Sequence, residues 1–153
     1  MLRPPPSEFT DYTLFNVKKL LQSNNIINNL PRLIGDERRL KQVLINLVKN
    51  ALKFTSKGLI AVKATYDTSM QCLIVHVQDT GVGIEAEDIP KLFSKFGKLH
   101  RTAEINSEGI GLGLTIVKQI VEASGGYVTV ESDGSGKGSL FIFSMKMKLA
   151  PAI

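Results

Sequence analysis

LKQVLINLVKNALKFT, residues 40–55, reads as a helix whose two sides call for different neighbours. Leu40, Leu44, Leu47 and Ala51 fall on one apolar face at helical spacing. Along the border of that face runs a polar stripe at i, i+4 and i+7: Asn46, Asn50 and Lys53. Two carboxamides and an ammonium beside a buried face suit either a solvated flank or a polar ligand, such as a metal ion with phosphates. Asp36 offers an N-cap, the helix is expected to run to about Phe54, and Ser56, Lys57 and Gly58 stop it.

Downstream, residues 59–66 and 70–78 predict a hairpin turning through Asp67, Thr68 and Ser69. In its second strand Leu73, Val75 and Val77 share one face and Cys72, Ile74, His76 and Gln78 the other. The alternation carries Asp79 to the side of the core-facing valines, at the strand's end. DTGVGI follows, residues 79–84, with glycines where a backbone turns tightly or approaches a ligand. Residues 89–96 predict a short helix bearing Phe93 and Phe96, and the charged, aperiodic stretch 97–107 reads as a mobile loop. Gly109-Ile110-Gly111-Leu112-Gly113-Leu114 leads into an amphipathic helix through about Ala123, ended by Gly125 and Gly126. Strands over 127–131 and 139–148 flank the turn GSGKG, residues 134–138. At the other end, residues 1–10 are a Pro-rich lead-in, 11–22 have mixed helical periodicity, 23–29 are loop-like and 30–34 predict a short strand. Residues 11–150 are thus expected to form a single domain.

The bulk numbers narrow the function classes. The chain has 153 residues, 43% hydrophobic and 22% charged, which suits one globular domain that buries about two-thirds of its unfolded surface. The only cysteine, Cys72, excludes an intramolecular disulfide framework and fits a reducing, cytoplasmic setting. No run approaches the roughly 18 apolar residues of a membrane span, and the first ten residues lack a signal-peptide core. A net charge of +5 invites a nucleic-acid reading. The basic residues are spread, however, with no aromatic-interleaved patch or finger motif, and a positive balance equally suits a small anionic ligand.

Taken singly, the motifs leave alternatives open. Closely spaced glycines before a helix let N–H groups point at an anion, but loops use glycine widely. A dinucleotide fold wants that motif after its first strand, and a P-loop wants a GK[ST] ending; the segment at 109–114 has neither context. Asp79 can accept a hydrogen bond from an exocyclic amine at a pocket mouth, or simply shape the turn before Gly81. Amide oxygens on the Asn46/Asn50 stripe suit Mg²⁺, a hard cation held jointly with phosphates.

In this order, the pieces resemble the ATP-binding catalytic domain of sensor histidine kinases, within the superfamily that includes the gyrase, Hsp90 and MutL ATPases. Residues 46–55 resemble the N box, 79–84 the G1 box, 92–96 (LFSKF) the F box, 109–114 the G2 box and 136–139 (GKGS) the terminal glycine motif. The resemblance covers about residues 30–148. It implies an α+β, two-layer sandwich: a mixed, mostly antiparallel sheet covered on one face by three helices, with a mobile ATP lid.

The resemblance also implies roles. Asn50 would hold Mg²⁺, with Asn46 close to the metal and phosphates, and Lys53 would reach the phosphates. Asp79 would bind the adenine amino group, supported by Gly83 and, through water, by Ser139. Gly111 and Gly113 would cradle phosphates. Lys98, two residues after Phe96, stands where these kinases carry a basic lid residue for the γ-phosphate; lysine keeps the charge and loses bidentate geometry. Lys98 and Asn46 are therefore the expected catalytic pair. Phe54, Gly81, Ile84, Phe96 and Arg101, with Gly109, Ile110, Leu112 and Leu114 of the G2 box, complete the expected nucleotide contacts.

One position separates branches of the superfamily. Gyrase-like ATPases place a water-activating glutamate four residues before the N-box asparagine, and here that position is Asn46. An amide cannot take a proton, so transfer of the γ-phosphate to a histidine imidazole is favoured over hydrolysis. The implied partners are ATP, with ADP as product, a dimerisation domain carrying the phosphoaccepting histidine, and a response-regulator receiver domain; no nucleic acid is implied. A gyrase-like ATP-gated dimerisation module and a degenerate docking module are the rival readings. Departures from the pattern are clear. The dimerisation segment with its histidine is absent, and His76 and His100 read as a strand residue and a solvated loop residue. Gly97 replaces an aromatic residue, and the 24–34 edge is short. KFTSKGLIAV, residues 53–62, resembles hybrid kinases that continue into a receiver; membrane anchoring of a longer chain stays open.

Overall fold

A computed structural model of the chain describes residues 30–94 and 112–152. Helix α1, Glu37–Phe54, starts where the sequence predicts: Asp36 is its N-cap and the carboxylate accepts the Arg39 N–H at 3.1 Å. Its buried face is centred on Val43, Leu47, Val48 and Ala51, with Leu40 and Leu44 half-buried on the flank. A cap contributes about 1 kcal/mol. Each fully buried aliphatic side chain contributes about 1.5–3 kcal/mol. Packing therefore holds α1, and the cap sets where it begins.

The remaining elements are β1 (Leu33–Ile34), β2 (Ile60–Asp67), β3 (Cys72–Asp79), α2 (Leu112–Ala123), β4 (Val128–Glu131), β5 (Ser139–Lys146) and β6 (Lys148–Leu149). Strands β2-β3-β5-β4 form one sheet in that order, and every pairing in it is antiparallel. Strands β1 and β6 form a separate antiparallel pair. The register puts Val62, Val77 and Phe141 in one row and Ala64, Val75, Phe143 and Val128 in the next. These rows face α1 and α2, whose Val117, Ile120 and Val121 join the same core. Both helices thus cover one face of the sheet, the two-layer α+β architecture expected. His76 is half-buried on the opposite face, between Lys63 and Ile142.

Three local expectations are revised. Within the expected helix 89–96, the described residues 89–94 form no α-helix: Ile89–Lys91 is a single 3₁₀ turn with Pro90 at its start, so two α-helices are present among the described residues. The first strand shortens to Leu33–Ile34. The last strand breaks at Met147, whose N–H donates to the Gln71 carbonyl at 3.0 Å and whose carbonyl accepts the Tyr66 hydroxyl at 2.8 Å. Met147 falls opposite Gln71 in the β3–β5 register, so its bond to Gln71 is the last of that ladder; Gln71 already belongs to the hairpin turn, at φ +51°, and Lys148 and Leu149 pair with β1 instead. The lead-in, the 11–22 stretch and the 97–107 loop lie outside the described residues. Among the described residues no helix is long and apolar enough to cross a membrane.

The hairpin joining β2 to β3 turns through 68–71, beginning one residue later and ending two residues later than predicted, with Asp67 at its base. The Met70 N–H and the Ser69 hydroxyl both donate to Asp67 Oδ1, at 3.0 and 2.7 Å, and hold its carboxyl below the usual range. A lowered folded pKa stabilises above the unfolded value of about 3.9 and is lost as pH falls through the folded one. Asp67→Ala should therefore lower the Tm at about pH 7 and change it much less at about pH 2, as read by thermal scans. An equal loss at both pH values would contradict the ionised turn.

Candidate functional site

Asp79 ends β3 on the core face, as its alternation with Val75 and Val77 predicts, and is 5% exposed. A buried carboxylate needs donors. Ser139 lies directly opposite on β5, and its hydroxyl donates to Asp79 Oδ2 at 2.6 Å; the Gly81 N–H donates to Oδ1 at 2.9 Å. Each carboxylate oxygen has a second lone pair, so acceptor capacity remains for a further donor. Both local readings of Asp79 therefore hold: it shapes the turn through Gly81, and it offers a buried acceptor at the sheet's end.

The loop after Asp79 is pinned on two sides. From below, the Val82 N–H donates to the Phe54 carbonyl at 3.0 Å, so the C-terminus of α1 meets the loop. A Cβ on Gly81 would lie 2.2 Å from that carbonyl and 2.7 Å from Thr55 Oγ1, a buried hydroxyl without a hydrogen-bond partner. From above, the glycine turn 134–138 straps across: Gly136 N–H donates to the Val82 carbonyl at 2.7 Å and Gly138 N–H to the Gly81 carbonyl at 3.1 Å. Gly83 has φ +71° and its Cα faces the Gly134 carbonyl, where a Cβ would come to 2.0 Å. Ile84, 6% exposed, anchors the loop's end in the core.

Two turns upstream on α1, about 12 Å along the axis, Asn46 lies beside the start of α2. A Cβ on Gly113 would sit 3.6 Å from Asn46 Oδ1, an ordinary contact. Among the described residues no close approach demands glycine at 113, so its bare Cα leaves room beside Asn46. The first turn of α2 also brings positive potential to that spot. Asn46 and Asn50 are half-buried, Lys53 is exposed, Phe54 half-buried, and Leu114 packs against the core. Phe93 lies edge-on to Phe141, with centroids 6.4 Å apart at 83°, and its carbonyl accepts the Thr115 hydroxyl at 3.5 Å.

The structure thus joins Asp79, Gly81, Gly83, Ile84, Phe54 and Ser139 at one end of α1, and Asn46 and Gly113 nearer its middle. Leu112 opens α2. The expectations on Phe96, Lys98, Arg101, Gly109, Ile110, Gly111 and His100 fall outside the described residues. Two participants escaped the sequence reading. Thr80 takes the Leu59 N–H at 2.9 Å, locking the start of β2 to the loop. Ser132 bonds both the loop and the strap. A serine two residues before Gly134 is a turn signal, and that was the trace available.

Residues 35–149 match the family model for histidine kinase-, DNA gyrase B- and HSP90-like ATPases. The chain belongs to this family. Among solved structures, full-length ShkA in complex with AMPPNP is similar at 28% identity and TM-score 0.70, over 99% of this chain and 32% of that one. The catalytic domain of histidine kinase ThkA matches at 28% identity and TM-score 0.63, over 89% of this chain and 92% of its own. The mycobacterial sensor histidine kinase MprB, at 22% identity and TM-score 0.67 over 94% and 95%, adds likeness of fold alone. The family member described here therefore spans about the length of a histidine-kinase catalytic domain and 32% of full-length ShkA.

The two glycines make opposite predictions. Gly83→Ala should destabilise by about 1–3 kcal/mol through collision and a left-handed backbone. Gly113→Ala, in a helix with space around it, should stabilise by up to about 1 kcal/mol. Urea unfolding of the two variants checks both; a destabilised Gly113→Ala protein would contradict the room assigned beside Asn46.

Proposed function

We propose that the chain is the ATP-binding catalytic domain of a histidine kinase, transferring the γ-phosphate of ATP to a histidine on a separate dimerisation domain in two-component signalling. The observation that carries this reading is the pairing of ends along α1. A buried acceptor, Asp79, stands beside the loop that meets the C-terminus of α1, and an amide beside a helix N-terminus, Asn46 next to Gly113, stands about 12 Å back along the helix axis from Phe54. That separation suits a base at one end and phosphates at the other. The ATPase family match and the AMPPNP complex of ShkA support the choice of nucleotide.

In this reading the remaining acceptor capacity of Asp79 takes the adenine amino group, with Gly83 and Ser139 fixing the base. Phe54, Gly81 and Ile84 line the base end. Leu112, Gly113 and Leu114, with Gly109, Ile110 and Gly111 before them, present N–H groups to the phosphates. Lys53, Phe96, Lys98 and Arg101 complete the contacts, Lys98 balancing charge on the γ-phosphate. The described residues hold no cluster of three or more His, Cys, Asp or Glu, and the oxygen donors on the α1 stripe are the amides of Asn46 and Asn50. That donor set fits Mg²⁺ arriving with the phosphates, held by Asn50 with Asn46 near. When bound, the ion would neutralise charge on the phosphate oxygens.

Asn46 then separates transfer from hydrolysis. Its amide orients and hydrogen-bonds but cannot accept a proton, so water is not activated. An imidazole is already a nucleophile and needs positioning and charge stabilisation. The receiver domain and a cytoplasmic setting follow as further parts of the proposal.

Incubation with a cognate dimerisation domain and γ-labelled ATP should produce acid-labile phosphohistidine, while phosphate release without that domain stays slow. Asn50→Ala should lower transfer by at least about tenfold, the loss of one transition-state contact. ATP binding without any transfer would sink the kinase reading. Rapid phosphate release with ATP-dependent self-association would favour the gyrase-like alternative.

A further inference from the structure

Ser132, immediately after β4, sits at the junction of the two loops that enclose the base end of the site. Its hydroxyl accepts the Ile84 N–H at 3.0 Å and the Gly134 N–H at 3.2 Å, and donates to the Gly138 carbonyl at 2.7 Å. One proton and two lone pairs are thereby all used. The three partners lie at the end of the loop 79–84 and at both ends of the turn 134–138. Main-chain bonds also join loop and strap: Gly136 to Val82 and Gly138 to Gly81.

We propose that Ser132 is a positioning residue for the nucleotide base, acting through Gly138 and Ile84 on Ser139 and Asp79. This rests on the ATP reading above. Gly134, Gly136 and Gly138 all have positive φ, so the strap is a segment with many alternative conformations open to it. A single hydroxyl that closes both ends of the strap and fastens it to Ile84 restricts that freedom. Gly138 directly precedes Ser139, the donor to Asp79 Oδ2, so loss of the Ser132–Gly138 bond transmits one residue on to the carboxylate. The hydroxyl bonds of Ser132 run to Ile84, Gly134 and Gly138, whereas Asn46 and Gly113 lie on α1 and α2. The clasp should therefore govern the base end and spare the phosphate end.

Calorimetry on the 153-residue chain with MgCl₂, comparing ATP with tripolyphosphate, tests this. Ser132→Ala should weaken ATP by about tenfold, the scale of one lost buried hydrogen bond, and leave tripolyphosphate affinity unchanged. Ser132→Thr, which keeps the hydroxyl, should recover most of the ATP affinity. Hydrogen exchange should show faster exchange at Ile84 and Gly138 in Ser132→Ala, with α1 unchanged; this holds the proposal open to test even if tripolyphosphate binds too weakly to measure. Unchanged ATP affinity in Ser132→Ala overturns the positioning role, as does an equal loss for both ligands or faster exchange throughout the domain. A wild-type chain that binds tripolyphosphate but not ATP overturns the adenine reading itself, and is thereby told apart from failure of the clasp.

Discussion

A carboxylate at 5% exposure has to be supplied with hydrogen-bond donors, and much of this molecule can be understood as the supply. Asp79 is held by a cross-strand hydroxyl and by a backbone N–H two residues on. The hydroxyl is in place because β3 and β5 pair in a register that sets Asp79 against Ser139. The N–H is in place because the chain turns at Gly81, and that turn is clamped between the end of α1 and the strap 134–138. Neutral donors satisfy the acid without using all of its lone pairs, which leaves it able to recognise a further donor.

The same constraint explains the layering. Antiparallel pairing of β2, β3, β5 and β4 puts Val62, Val75, Val77, Phe141 and Phe143 on one face, and α1 and α2 cover it. Because α1 packs by Val43, Leu47, Val48 and Ala51, its Asn46 edge is brought to the start of α2 while its C-terminus abuts the loop after Asp79. A helix held by core packing thus acts as a ruler between two polar spots. Its length between them comes from helical rise, which solvent and ligand do not alter.

Much of this was legible locally. The Asp36 cap and the apolar spacing gave the bounds of α1, and a period of two along β3 carried Asp79 to the core side. Features that depend on one residue meeting another far along the chain were not. Ile89, Leu92 and Phe93 stand at helical spacing, yet among the described residues 89–94 only a 3₁₀ turn forms, at Ile89–Lys91. Nothing in the run 139–148 announces a break at Met147; it comes where the partner strand gives way to the turn at Gln71, more than seventy residues earlier, and β1 takes over the pairing. The centre of the α1 face also moved from Leu40 and Leu44 towards Val43 and Val48.

The amino-acid sequence by itself determined α1, the hairpin β2–β3, α2, the core side of β3 and the family resemblance, because those follow from periodicity, caps and glycine spacing along the chain. Tertiary structure alone decided that Ser139 meets Asp79, that Gly113 leaves room beside Asn46, and that Ser132 ties the strap to the loop. A hydroxyl's partners depend on strand register and loop closure across many residues, and no local pattern encodes which carbonyl will lie within 2.7 Å of it.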